Sequence, residues 1–157
     1  MNLCRWKPRP ALDSGGFSLI ELLTVTVVLG VIMAIAVPAL LKALDKSRQK
    51  RTMADLRLLG GIIEEYAVDN STYPVGTSIA DLSVLIPDYA NDLISVDAWH
   101  HDLIYTGSTT DYTLGSAGKD GGNTVVMVGN GGPTQRFDDD IIFRLGNFVQ
   151  WPGGPQD

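Results

Sequence analysis

The sequence predicts an α+β protein in which one long N-terminal helix packs on a small antiparallel β-sheet. Three observations support this fold class. Residues 17–41 are almost wholly apolar, an apolar repeat of helical period continues from there to about Asp69, and short β-rich runs separated by glycine turns follow Pro74. The 157 residues suffice for one globular domain beside any targeting segment.

The first sixteen residues, MNLCRWKPRPALDSGG, carry three cations and end in a glycine pair. We expect residues 1–16 to be a leader peptide that is removed, which divides the rest into a transmembrane segment (17–42) and a globular domain (43–157) that includes the second half of the helix. The only cysteine, Cys4, lies in this leader. The mature chain is therefore expected to form no internal disulfide.

The apolar run from Phe17 to Leu41 is long enough to cross a membrane. As a helix its 25 residues rise roughly 37 Å, against a hydrocarbon core of about 30 Å. A secretory signal peptide would have a shorter apolar region followed by a small-residue cleavage site. Gly30 and Pro38 interrupt the run, either as the ordinary plasticity of a membrane helix or as a segment that bends when the chain leaves the bilayer.

The helical pattern continues beyond the apolar run. Apolar residues at spacings of three and four form one stripe with charge around it: Met53, Leu56, Leu59, Ile63 and Tyr66 or Ala67. Pro74 disfavours helical geometry at Tyr73, so the helix is expected to end near Asp69. Gly60-Gly61 weakens the helix by about 2 kcal/mol relative to two alanines.

Beyond Pro74 the pattern changes to short elements. A short helix is expected at 79–85, and a hairpin and two later strands are expected at Leu103–Thr106, Tyr112–Gly115, Thr124–Val128 and Ile141–Leu145. The C-terminal tail WPGGPQD is expected to be loosely ordered.

The charge balance excludes some functions. The formal net charge is -6, and without residues 1–16 the chain has nine basic and seventeen acidic residues. Nucleic acid is therefore not expected as a partner, whereas divalent cations suit such a body. No nucleophile elbow, phosphate-binding loop or Cys/His nucleophile pattern occurs, so no enzyme is expected. His100 and His101 are expected to have surface or structural roles.

Residues 16–23, GFSLIELL, resemble the cleavage and methylation motif of type IV prepilins. The resemblance implies that a prepilin peptidase cuts between Gly16 and Phe17 and that the Phe17 amine is then methylated. Glu21 is the only ionisable residue in the apolar run, and a carboxylate at that depth is costly unless it is paired. The new Phe17 amine of a neighbouring subunit would pair with Glu21 and set the subunit register.

The remainder of the chain is similar to the major pseudopilins of type II secretion systems. The similarity rests on these residues: Asp55-Leu56, Glu65-Tyr66, Asp69-Asn70, Tyr73-Pro74, Asp97, Trp99, Tyr105, the run Tyr112–Gly121 and Asp139-Asp140-Ile141. Ala98 and His100 stand where that family has Pro and Gly. The resemblance implies a pilin-like structural subunit that polymerises with itself and with other pseudopilins. An inner-membrane assembly platform would drive this step.

The same resemblance implies a calcium site in the glycine-rich acidic loop. Calcium takes six to eight oxygen ligands from carboxylates and carbonyls. The expected carboxylates are Asp120, Asp138, Asp139 and Asp140, with carbonyls near Ala117 and Asn123 completing the shell. The 123–137 connection is longer than the family's, and a solvated acidic cluster without metal is the alternative.

Two further hypotheses stay open at this stage. One is a type IV pilin for adhesion, motility or DNA uptake, and the other is a single-pass membrane-anchored enzyme. The resemblance places the chain in the bacterial inner membrane with the C-terminal domain in the periplasm, and in a filament after assembly. Five cations within 42–51 fit contact with membrane lipid, but against three in the leader they predict the opposite orientation.

Overall fold

A computed structural model describes residues 16–122, 131–154 and 156. The chain forms two compact units, one that ends at Ala39 and one that begins at Leu40. Helix α1 (Leu19–Asn70) contributes to both. The predicted long helix is confirmed: it starts and ends within two residues of its expected bounds and continues through Pro38.

The first unit is helical and has no core of its own. Every described residue from Gly16 to Leu44 is exposed, including large apolar side chains such as Leu19 and Ile35. Within the described part of the chain, α1 is the one helix long and apolar enough to cross a membrane, and its most apolar window has a mean hydropathy of 2.6. Its length and composition are those of a membrane-spanning helix.

The second unit contains the rest of α1, a 3₁₀ helix (Ile79–Leu85) and a five-stranded sheet. The strands are β1 (Ile104–Gly107), β2 (Tyr112–Ser116), β3 (Gly132–Thr134), β4 (Ile141–Arg144) and β5 (Asn147–Pro152), in the spatial order β1-β2-β4-β5-β3. The α+β class and the β1–β2 hairpin are confirmed. The sheet differs from the expected one in being mixed, because β3 pairs with β5 in parallel.

Strand β5 corrects the prediction of a loosely ordered tail, because Trp151 and Pro152 are part of it. Leu145 and Gly146 both have positive φ (44° and 78°) and form a tight two-residue turn between β4 and β5. Positive φ at both central positions is typical of a type I′ hairpin, which usually has Asn-Gly there. The unusual Leu-Gly turn explains why the sequence did not reveal the hairpin. The predicted strand Thr124–Val128 lies outside the described residues.

The core lies between α1 and one face of the sheet. The helix contributes the predicted stripe residues Leu56, Leu59 and Ile63, each at most 1% exposed. They join apolar residues of the 3₁₀ helix and of β1, β2 and β4: Ile79, Leu82, Leu85, Tyr105, Tyr112, Leu114, Ile141 and Phe143. Gly60 faces the ring of Phe143 so closely that a Cβ there would collide with it. Glycine at this position therefore lets the helix approach β4.

Candidate functional site

The predicted cleavage site lies directly before α1. Gly16 and Phe17 precede the helix and are exposed, Phe17 to 75%. Ser18 occupies the position before the first helical residue, and its backbone N–H donates to Glu21 Oε2 at 3.1 Å. A glutamate three residues into a helix that accepts this bond satisfies one of the backbone donors that the helix start leaves free.

This geometry holds the Glu21 carboxylate at the Ser18 N–H, which follows the predicted cleavage site. Ser18 directly follows Phe17, so a new Phe17 amine would arise one residue from the amide that Glu21 already binds. The exposed Gly16–Phe17 bond has no secondary structure to be unwound before cleavage. The predicted leader residues 1–15, with Cys4, lie outside the described residues.

The predicted acidic site is formed where the loop after β2 meets the segment before β4. The Lys119 N–H donates to the Phe137 carbonyl at 2.9 Å, which holds the two segments together. Gly118 has φ +71°, and a Cβ there would press on the backbone carbonyls of Asp138 and Asp139. Glycine is therefore required at 118 both for its backbone conformation and for this close approach.

One of the four predicted carboxylates, Asp140, is affected by its burial and by two of the others. Burial, followed by the negative charges of Asp120 and Asp139, raises the pKa of Asp140 to about 6. Asp138 differs, because its carboxylate accepts a bond from the Arg136 guanidinium at 3.0 Å. Asp139 Oδ2 accepts from the Arg136 N–H, also at 3.0 Å. The loop therefore concentrates negative charge around Asp140, while Asp138 is already paired.

These carboxylates fit calcium only in part. Asp120, Asp139 and Asp140 offer the oxygen donors that calcium prefers. A bound cation would also relieve the repulsion that Asp120 and Asp139 exert on Asp140. Within residues 16–122, 131–154 and 156, however, no group of three or more acidic, histidine or cysteine side chains lies close enough together to hold a metal ion. Asn123, which was expected to supply a carbonyl, lies outside the described residues.

A buried carboxylate that the sequence did not single out for this role organises the base of the loop. Asp97 is 4% exposed and accepts bonds from the Trp99 and His101 N–H groups, both at 2.9 Å, and from Ser116 Oγ at 2.7 Å. Ser116 Oγ in turn accepts from the Gly118 N–H at 3.3 Å. Asp97 therefore links the 97–101 turn to the end of β2.

The acidic loop is also tied to α1. Lys119 Nζ lies 2.7 Å from Asp45 Oδ2, and Asp45 is only 7% exposed. Burial raises the pKa of Asp45, but the hydrogen bond and charge of Lys119 outweigh it, so that the pKa is lowered overall. Ala98 N–H donates to Thr52 Oγ1 at 3.2 Å, about two turns further along the helix. Local sequence patterns do not reveal these contacts, because they join residues at least 46 positions apart.

The two histidines take separate structural positions. His101 Nδ1 lies 3.0 Å from the Gly118 carbonyl, so this ring supports the acidic loop. His100 is exposed and has φ +72°, at the position where the resembled element has Gly. A positive φ is the conformation that glycine adopts without strain, which gives a physical reason for glycine there.

Comparison with known proteins supplies the family. Residues 39–127 match the family model described as Type II secretion system (T2SS), protein G, and residues 13–37 match the prokaryotic N-terminal methylation motif. The chain belongs to the type II secretion system protein G family. This confirms the resemblance on which the sequence-based interpretation rested. Members of this family are structural pseudopilins of the secretion system.

Individual relatives agree with this assignment. The chain is 30% identical over 133 residues to the type II secretion system core protein G of Vibrio cholerae serotype O1, covering 73% of this chain and 90% of the relative. It is 30% identical over 119 residues to the core protein G of Escherichia coli K12, covering 68% and 82%. The Dickeya chrysanthemi protein of the same name is 29% identical over 145 residues, covering 88% and 92%. No solved structure matches the chain.

Proposed function

We propose that this chain is made as a prepilin, cut between Gly16 and Phe17, and polymerised through its N-terminal helix into the pseudopilus of a type II secretion system. Family membership supports the role of structural subunit of the pseudopilus. The single observation that carries the proposed processing is the GFSLIE motif placed directly before and at the start of α1, with its scissile bond exposed. The proposed partners are a prepilin peptidase, other pseudopilins and an inner-membrane assembly platform.

Before assembly, α1 would anchor the subunit in the inner membrane, with the acidic domain in the periplasm. The exposed apolar half of the helix supports membrane insertion. In the filament, apolar contacts with neighbouring helices would replace lipid. Glu21 would then pair with the Phe17 amine of a neighbour, and this pairing would neutralise two charges that are costly in an apolar environment.

Mass spectrometry of the mature protein tests the processing step. We expect an N-terminus at Phe17 that is heavier by about 14 Da than the unmodified residue, as methylation requires. A control variant, Gly16→Trp, places a bulky side chain next to the proposed cleavage site. This variant should therefore keep its leader. Recovery of the intact Met1 terminus from wild-type cells that carry the peptidase would contradict the proposal.

We also propose that the acidic loop binds calcium through Asp120, Asp139 and Asp140, which would have to move closer together on binding, since no three such side chains of the described residues lie close enough to hold an ion. Burial and, after it, the negative charges of Asp120 and Asp139 raise the pKa of Asp140, and this supports the choice. The pairing of Asp138 with Arg136 makes Asp138 the weakest candidate of the four. A bound divalent cation would supply positive charge beside Asp140. The chain's own contribution is to hold the two acidic segments together through Lys119, Gly118 and the Asp97 network.

Thermal unfolding of the full mature chain in detergent tests the calcium site. Chelation should lower the midpoint in the wild type, and calcium should restore it. Asp140→Asn should abolish this response, whereas Asp88→Asn, an exposed aspartate outside the loop, should retain it. Identical midpoints for the wild type with calcium and with chelator would reject the site.

A further inference from the structure

Positive charge is concentrated on three turns of α1. Residues 42–51 hold five of the nine basic residues of the chain from Phe17 onwards, whereas residues 52–157 hold four basic and fifteen acidic residues. We name these five residues the cationic band: Lys42, Lys46, Arg48, Lys50 and Arg51.

All five side chains of the band are exposed, and Lys46 and Lys50 lie away from the buried stripe of α1. On the same stretch of helix, Gln49 and Thr52 are buried at 2% and 0% exposure, whereas Lys46 and Lys50 are exposed. Their spacing of four places the two lysines on one side of the helix. Within the part of the chain that the structure describes, neither lysine makes a hydrogen bond or an ion pair.

Intramolecular pairing leaves the two arginines of the band largely exposed. Arg48 lies 3.3 Å from Asp45 and Arg51 lies 3.7 Å from Asp55, but these arginine side chains remain 50% and 77% exposed. Ion pairs of such exposed groups contribute little to stability. An external anionic partner explains the clustering better than the stability of the single chain does.

The position of the band identifies this partner. The band begins at the residue after Leu41, where the apolar run ends. A helix that spans a bilayer brings the residues directly beyond its apolar part to the depth of the lipid headgroups. Anionic headgroups attract basic residues at that depth. An acidic surface on a second copy of the chain would meet the band only in the filament, whereas headgroups are present as soon as the helix is inserted.

We propose that the cationic band, with Lys46 and Lys50 as its main contacts, binds the phosphate groups of anionic phospholipids. The proposal rests on the proposed insertion of α1 in the membrane. Bound headgroups would hold the subunit at the membrane surface until assembly. The band could bind headgroups on either side of the membrane. Its positive charge therefore need not determine the orientation of the chain.

The test uses the full mature chain in phosphatidylcholine bilayers that contain spin-labelled phosphatidylglycerol or spin-labelled phosphatidylcholine as the probe. Electron paramagnetic resonance gives the ratio of the two association constants, and we expect the wild type to prefer phosphatidylglycerol at low salt. Each lysine near an anionic surface contributes roughly fivefold, so Lys46→Gln with Lys50→Gln should lower the ratio by up to roughly 25-fold. The control, Arg57→Gln with Arg136→Gln, makes the same change in net charge outside the band and should keep the wild-type ratio.

Each alternative outcome has a definite meaning. An unchanged ratio in the lysine variant overturns the proposal, and so does an equal fall in the control, which would indicate a general effect of net charge. A lysine variant that keeps the ratio but no longer cross-links to neighbouring copies would assign the band to a second copy instead. Insertion is measured separately by alkaline extraction of the wild type, so failure of the proposed anchoring is distinguished from failure of lipid selectivity.

Discussion

The two halves of α1 have the same secondary structure but opposite surroundings. From Leu19 to Leu44 every residue is exposed, although the segment is the most apolar of the chain. From Thr52 to Ile63 the helix buries a stripe against the sheet and exposes the rest. The first half therefore depends on lipid or neighbouring subunits, whereas the second half depends on the core of its own unit. Substitutions in the two halves should consequently affect different measurements.

The largest expected effect is on assembly. Glu21→Ala should reduce filament formation by about tenfold or more, because an amine left unpaired in an apolar environment costs several kcal/mol. Pseudopilus formation is measured by shearing and immunoblotting in cells that overproduce the secretion system. Cleavage at Phe17 and the melting temperature of the mature chain should stay unchanged, since Glu21 lies outside the second unit.

Thr24→Ala is the matched control for Glu21→Ala. Thr24 lies one turn further along the same exposed segment, and its hydroxyl donates only to the Glu21 carbonyl within the helix. This variant should assemble normally. Normal filaments from the Glu21 variant would contradict the proposed pairing with the Phe17 amine. A lowered melting temperature of this variant would show that the first half of α1 contributes to the stability of the second unit.

The sequence predicted those parts of the fold that depend on local pattern. The apolar run, the stripe of Leu56, Leu59 and Ile63 and the β1–β2 hairpin all follow from residue spacing, and the structure contains each of them. The prepilin motif could also be recognised from the sequence, because its residues are contiguous. The match to the N-terminal methylation motif covers them.

Features that depend on long-range contacts were not predictable. The Asp45–Lys119 pair joins residues 74 positions apart, and nothing in either local sequence indicates the other partner. Strand β5 was missed because its turn, Leu145-Gly146, lacks the usual turn residues. The acidic cluster was found as a composition, but whether its members share one ligand depends on side-chain directions that a sequence does not contain.

In the second half of α1, a buried and an exposed leucine allow the effect of burial on stability to be compared directly. Leu56 is 0% exposed in the core, and Leu58, two residues later, is 59% exposed. Leu56→Ala should lower the free energy of unfolding by about 3 kcal/mol through lost burial and a residual cavity. Leu58→Ala should change it by less than about 0.5 kcal/mol. Chemical denaturation of the mature chain in detergent, followed by near-ultraviolet circular dichroism, measures both, and equal losses would show that α1 is packed differently.

The smallest expected effect concerns the acidic loop and depends on pH. The pKa of Asp140 is raised from 3.8 to about 6 in the folded chain, so the folded state favours the protonated form. Protonation of Asp140 therefore stabilises the folded chain, and this stabilisation is complete below pH 3.8 and is lost as the pH rises through about 6. Above that pH the ionised carboxylate destabilises the folded chain. Without calcium, Asp140→Asn should stabilise the chain at pH 7 by about 1 kcal/mol, a value reduced for solvent screening, and should have no effect below pH 3.8.

Calcium should reverse the sign of this effect. A bound cation favours the ionised carboxylate, so at pH 7 with calcium the Asp140→Asn variant should be the less stable chain. Asp138→Asn is the control, because that carboxylate is already paired with Arg136 and should respond little to either condition. Thermal unfolding at pH 7 with calcium and with chelator provides the four required comparisons. A stabilising Asp140→Asn substitution in both conditions would mean that the acidic loop stays metal-free.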